Sequence, residues 1–226
     1  GLAMALVLSG APSRGSGRME LLVPLRLLAS PEELRFLRGE DGRRLDGIAR
    51  ACGVRLDAAE SGAVPAAFGG AVLTVNGTMW QKRTAGRQIV DLLFEHQGVD
   101  PQRWATGSAR LTAVLPAAAY AAVASAETAK SVRDIGAGMR LDAPAAGAGA
   151  PARFLAHFTG NAQQAVSAAT RVNNALQDLA DHGRLVVGDF AEGEGGPAPL
   201  SVAEAVRSAR LAPAAGVATQ PPHEHP

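Results

Sequence analysis

Apolar positions along this chain recur with two different periods, and the alternation between them sets out its elements. The stretch Glu20-Leu21-Leu22-Val23-Pro24-Leu25-Arg26-Leu27-Leu28 is nearly continuously apolar over strand length and predicts a buried strand. Ser30-Pro31-Glu32-Glu33 then reads as a helix start, with Ser30 as cap, Pro31 in the first turn and two carboxylates at the positive end of the dipole. Leu45, Ile48 and Cys52 share one face of a second helix that follows Gly42. Val54–Asp57 alternates like a strand, and Ala71–Asn76 reads as another after a Gly/Ala/Pro loop over 61–70. Gly77 turns the chain into a helix over about Trp80–Gln97, whose inner stripe is Ala85, Ile89, Leu92 and Leu93.

The pattern then returns. Val54-Arg55-Leu56-Asp57-Ala58 recurs as Met139-Arg140-Leu141-Asp142-Ala143, Ile48 corresponds to Ile135, and Gly77 to Gly160. Strands are expected at Leu111–Leu115, Met139–Asp142 and Arg153–Phe158, and helices at Ala118–Ser125, Lys130–Gly136 and Ala162–Asp181. Two α+β units follow, over 19–98 and 109–183. The linker 99–108 carries Trp104, which is expected to pack between the units in one compact body. Residues 1–18 read as a flexible lead-in, with an organellar targeting remnant as the alternative. Ala143–Ala152 reads as a low-complexity loop. Residues 184–226 read as a tail, with a short strand at Leu185–Val187 and a capping-box helix from Ser201 to Leu211.

Charge narrows the partners. Lys and Arg total 22 against 21 Asp and Glu, a formal net charge of +1 over 226 residues, so any attraction to nucleic acid must come from a local patch. Such a patch exists in the sequence: Arg35, Arg38, Arg43, Arg44 and Arg50 crowd one helix pair. A solvated helix face with Arg43 and Asp46 as an i, i+3 pair is the bland alternative. The single cysteine, Cys52, lies on an apolar helix face and reads as core. No apolar run approaches the ~20 residues needed to span a bilayer. Phosphate-loop, nucleophile-elbow and zinc-helix motifs are absent, and the five histidines form no spaced constellation, so no enzyme, metal or cofactor is expected. His157 falls in a strand and reads as structural.

The segment Leu37-Arg38-Gly39-Glu40-Asp41-Gly42, with Leu45 and Ile48 after it, stands between two helices. Together with Leu73-Thr74-Val75-Asn76-Gly77 entering a helix at Ala85 and Ile89, it resembles a type I KH domain over residues 19–98. Residues 109–183 resemble the same family more weakly. The resemblance implies two tandem units, each a three-stranded antiparallel sheet packed by three helices. It also implies a Gly-x-x-Gly loop that clamps about four nucleotides of single-stranded RNA. The implied RNA-binding residues are Arg35, Arg38, Gly39, Glu40, Asp41, Gly42, Arg43, Arg44, Ile48, Arg50, Val54, Arg55 and Leu56, with Lys130, Arg133 and Arg140 in the second unit. An RRM is disfavoured because aromatic residues are only 4 % of the chain.

Two features weaken the implied site. Glu40 and Asp41 each oppose a phosphate by ~1 kcal/mol in a solvated setting. Applying an offset of 87, the second unit's loop falls on Ala126-Glu127-Thr128-Ala129, which has no glycine. The expected function is sequence-selective single-stranded RNA binding without catalysis, in post-transcriptional mRNA regulation, in cytoplasm or nucleus. The alternatives are a protein-interaction scaffold of degenerate units, using the second unit or the tail, and single-stranded DNA binding.

Overall fold

In the computed structural model, which describes residues 22–60, 70–98, 110–147 and 150–190, strand β1 (Leu25–Ala29) leads directly into helix α1 (Pro31–Arg38). The junction is a capping box. Ser30 Oγ accepts from the Glu33 N–H at 3.1 Å, and the Glu33 carboxylate accepts from the Ser30 N–H at 2.7 Å. Helix α2 (Arg43–Cys52), strands β2 (Arg55–Glu60) and β3 (Ala71–Asn76) and helix α3 (Met79–His96) complete the first half. The second half runs β4 (Arg110–Pro116), a 3-10 turn at Ala117–Ala119, α4 (Tyr120–Val123), α5 (Ala126–Arg133), β5 (Gly138–Leu141), β6 (Ala145–Gly147), β7 (Ala150–Thr159) and α6 (Ala162–Asp181). A last 3-10 turn spans Val187–Phe190. The readings for residues 1–18, the 61–69 loop, the Trp104 linker and the Ser201–Leu211 helix lie outside the described residues.

All strands among the described residues join one antiparallel sheet in the order β2-β3-β1-β4-β7-β5, with β6 paired to β7. Each half places its later strand in the middle, β3 between β2 and β1, and β7 between β4 and β5. The halves are fused at β1 and β4, where Leu27 lies opposite Ala113 and Leu28 opposite Thr112. The expectation of two separate three-stranded sheets is therefore corrected: β1 and β4 would each be an open edge, and pairing satisfies both. The helices cover one side of this sheet, and a single apolar core runs through both halves, from Leu34, Ile48 and Ile89 to Phe154, Phe158 and Val172.

The helical layer is also joined across the junction, by polar groups. Buried Lys82 on α3 donates from Nζ to the Val23 carbonyl at 2.6 Å and to Asn173 Oδ1 on α6 at 2.7 Å. Asn173 Nδ2 donates to the Pro24 carbonyl at 3.1 Å, and Gln177 Oε1 accepts from the Val23 N–H at 2.9 Å. These bonds explain why Val23 and Pro24 stand outside β1, which starts at Leu25. Val23 and Pro24 give their backbone groups to α3 and α6 side chains, and Pro24 has no N–H for a ladder. Burial lowers the pKa of Lys82 from 10.5 to about 8. Both of its acceptors are neutral oxygens, so a neutral amine still serves them with two N–H groups.

Other predicted elements shift for local reasons. Helix α5 begins at Ala126, four residues before the predicted start, because Ser125 caps it and accepts from the Thr128 N–H at 3.2 Å. The predicted loop Ala143–Ala152 instead contains β6 and the start of β7, paired as a hairpin. Backbone pairing needs no apolar pattern, so its low-complexity composition concealed it. The predicted strand at Leu185–Val187 is a turn: Leu185 is buried, and the Val186 N–H donates to Asp189 at 2.7 Å. Among the described residues no helix is long and apolar enough to cross a membrane.

Candidate nucleic-acid interface

Four residues, Gly39 to Gly42, connect α1 to α2. Gly39 has φ 69° and Gly42 φ 74°, the left-handed region that side chains resist. Gly42 stands at the N-cap of α2, offers no side-chain cap, and has open space where a Cβ would project. The first N–H groups of α2 therefore point outward without a capping acceptor, at the positive end of the helix. A phosphate approaching the main chain there meets donors and no side-chain bulk.

The surroundings form a depression of about 950 Å³ whose walls include Arg35, Arg38, Arg43 and Arg44 against Glu32, Glu40 and Asp41. Four cations over three carboxylates leave a small positive excess. Asp41 pairs with Arg43 at 3.4 Å, both largely exposed, so Arg43 does not take the predicted i, i+3 partner Asp46. An exposed pair of this kind contributes only about 0–1 kcal/mol and yields readily to a phosphate. Arg44 donates to the Phe36 carbonyl at 3.2 Å and lies 4.5 Å from the Phe36 ring centre, and Phe36 stacks on His96 at 4.7 Å. This Phe36–His96 pair escaped the sequence reading. Its only signal was an aromatic residue three positions before Gly39.

The remaining predicted residues fall into separate groups. Arg38 reaches the Ala58 carbonyl at 3.5 Å, bridging α1 to β2 beside the loop. Ile48 and Val54 are core residues and Leu56 packs partly against them, so they underlie the surface rather than form it. Arg55 is bound to Asp57 at 2.9 Å on β2. Arg50 folds back onto the Asp46 carbonyl at 3.3 Å, one turn beyond the loop. In the second half, Lys130 pairs with Asp134 at 3.0 Å and Arg140 with Asp142 at 3.3 Å, while Arg133 is exposed on α5. Cys52 is half-buried against the core, and burial pushes its thiol pKa up.

The second half has a different corner. Gly42 and Ser125 are both N-caps, Gly53 and Gly136 both have positive φ, and Thr78 and Asn161 both cap the long helix; each pair is separated by the same 83 positions (125 − 42, 136 − 53, 161 − 78). The offset of 87 is thus corrected: the counterpart of Gly42 is Ser125. Ala126–Ala129, read as a loop, form the first turn of α5. Only Ala124 and Ser125 join α4 to α5, and the Thr128 hydroxyl donates to the Ala122 carbonyl at 3.0 Å, closing the turn. The second loop is shortened, not merely substituted.

Two other features carry chemistry. On the outer side of the sheet, His157 Nε2 donates to Asp142 Oδ2 at 2.9 Å, leaving Nδ1 to accept from the Thr112 hydroxyl at 2.9 Å. The hydrogen bond from His157 is the main reason the Asp142 carboxyl lies below its usual range. Thr112 sits buried on β4, between β1 and β7, so these hydrogen bonds tie β4 to β7 and β7 to the end of β5. A groove of about 1070 Å³ lies between α3, α5 and α6, and Trp80 on its rim is 73 % exposed. Among the described residues no group of His, Cys, Asp and Glu is arranged to hold a metal. The fold defines a duplicated α+β protein with one open glycine corner. No protein-family model and no curated protein matches the sequence.

Proposed function

We propose that the chain is a tandem module of two type I KH-like units that binds single-stranded RNA without catalysis, through its first half. The observation that carries this reading is the corner at Gly39–Gly42, where two left-handed glycines present the uncapped N-terminus of α2 inside a ring of four arginines. The order β-α-α-β-β-α, repeated in the second half with the short strand β6 added, supports it, since that is the order the family resemblance implies. Phosphate contacts at this corner position the strand, and selectivity comes from base contacts made beside α1, α2 and β2. The narrow excess of positive charge implies modest affinity that falls steeply with salt.

A scaffold reading has one observation in its favour, the exposed carboxylates Glu40 and Asp41 at the tip of the loop. The two readings separate on one experiment. In Gly39→Asp/Gly42→Asp, two carboxylates and two Cβ atoms occupy the corner. Affinity for a labelled single-stranded RNA pool, measured by fluorescence anisotropy, is expected to fall at least about tenfold, ~1.4 kcal/mol, with the circular dichroism spectrum unchanged. Undiminished affinity in a folded variant removes the RNA site from this corner.

A further inference from the structure

Among the described residues the helices pack on one side of the sheet, yet the other side is also withdrawn from water. Alternation along the strands turns Val72, Leu28, Val114 and Leu155 outward, and they form a second apolar cluster. Val72 is 1 % exposed, Val114 2 % and Leu155 6 %, and none of the cluster's residues comes from a helix. Polar residues around them are equally deep: Arg26 and Thr74 face each other on β1 and β3, Thr112 and His157 on β4 and β7, and Arg153 is 1 % exposed. A sheet face open to solvent does not bury valines and arginines to this degree.

We propose that the segment following Phe190, centred on Ser201–Leu211, covers this outer face of the sheet. The chain is delivered to it: the guanidinium of Arg26, which points to that side, donates to the Phe190 carbonyl and lies 5.9 Å from the Phe190 ring centre. Residues 191–200 span up to about 33 Å when extended, more than the ~14 Å across β3, β1, β4 and β7. The run from Ser201 then has Val202, Ala205, Val206 and Ala209 at helical spacing on one side, with Glu204, Arg207 and Ser208 away from it. Small apolar residues suit a flat sheet that is itself lined by valine and leucine.

The test uses the full chain with Cys52→Ser and a single reporter thiol, Val114→Cys, labelled by a soluble maleimide. The expected result is slow labelling that accelerates at least tenfold when Val202→Asp and Val206→Asp are added. A reporter in the helical core, Ala85→Cys, stays protected in the same background, which separates uncovering from unfolding. An unchanged rate at Val114→Cys overturns the proposal. So does acceleration by Leu6→Asp/Val7→Asp instead, which assigns the cover to the N-terminal segment. Protection that weakens on dilution of the protein also overturns it, and assigns the cover to a second copy.

Discussion

Between α1 and α2 the chain takes four residues, Gly39 to Gly42, with both glycines at positive φ and no side chain capping α2. Between α4 and α5 it takes two, Ala124 and Ser125, and Ser125 caps the helix that follows. Around these corners the halves agree: the same strand order, the same glycine after the second helix, the same capping box before the long helix. The difference separates two uses of a helix N-terminus. Satisfied by its own serine, it stabilises the fold and has fewer donors for a ligand. Left open beside glycines, it costs some stability and keeps its donors for a phosphate. The second half then contributes what its packing shows, the pairing of β4 with β1 and the α6 face against α3.

That division can be broken most forcefully in the second half's core. Phe158 is fully buried in β7 within the core that both halves share. Phe158→Ala is expected to cost about 3–5 kcal/mol and to raise hydrogen exchange in β3 together with β7, in one melting transition. Two separate transitions would mean that the halves hold themselves up independently.

The junction itself carries a pH signature. The Lys82 pKa lies at about 8 in the folded protein against an ordinary 10.5, so between those values the unfolded chain binds more protons. Stability is therefore expected to rise as pH climbs from about 8 to 10.5. Lys82→Met, which removes the buried amine from between Val23 and Asn173, should flatten that rise in urea titrations across this range. An identical pH slope in the variant would mean that the amine is not desolvated at the junction.

The smallest effect concerns the second half's cations. Lys130 and Arg140 stand in exposed pairs with Asp134 and Asp142, and the helix N-terminus nearest them is closed by Ser125 rather than open beside glycines. Replacing Lys130, Arg133 and Arg140 by Ala should lower the slope of log affinity against log salt by well under three units and leave the preferred RNA sequence unchanged. A changed preference would place base contacts in the second half.

The sequence carried strong signals where local chemistry and pattern coincide. Ser30 with Glu33 marks a helix start, Ala71–Asn76 is a strand as read, and Ala162–Asp181 a helix as read. The open glycine corner was legible because positive φ has a one-letter signature. Three kinds of feature were not. The β1–β4 fusion is backbone pairing between distant segments, and neither strand's side chains announce it. The hairpin of β6 and β7 lies in Ala/Gly/Pro sequence with no alternation to read. The second corner was misplaced because matching Ile48 to Ile135 gave an offset of 87, while the elements themselves repeat at 83, the chain there is shorter and Ser125 takes the capping role. Nothing in the sequence around Lys82 singles it out from the other helix cations. Only the approach of Val23 and Asn173 makes it a buried one.

The most direct measurement is a titration of the full-length, nitrogen-15-labelled protein with a short single-stranded RNA, followed by amide NMR. Binding at the open corner predicts the largest shift changes at Gly39, Gly42, Arg43 and Arg44, with Ala124, Ser125 and Thr128 unmoved at saturation. Equal changes at Ser125 and Thr128, or silence at Gly39–Arg44 while RNA binds, would contradict the assignment of the site to the first half.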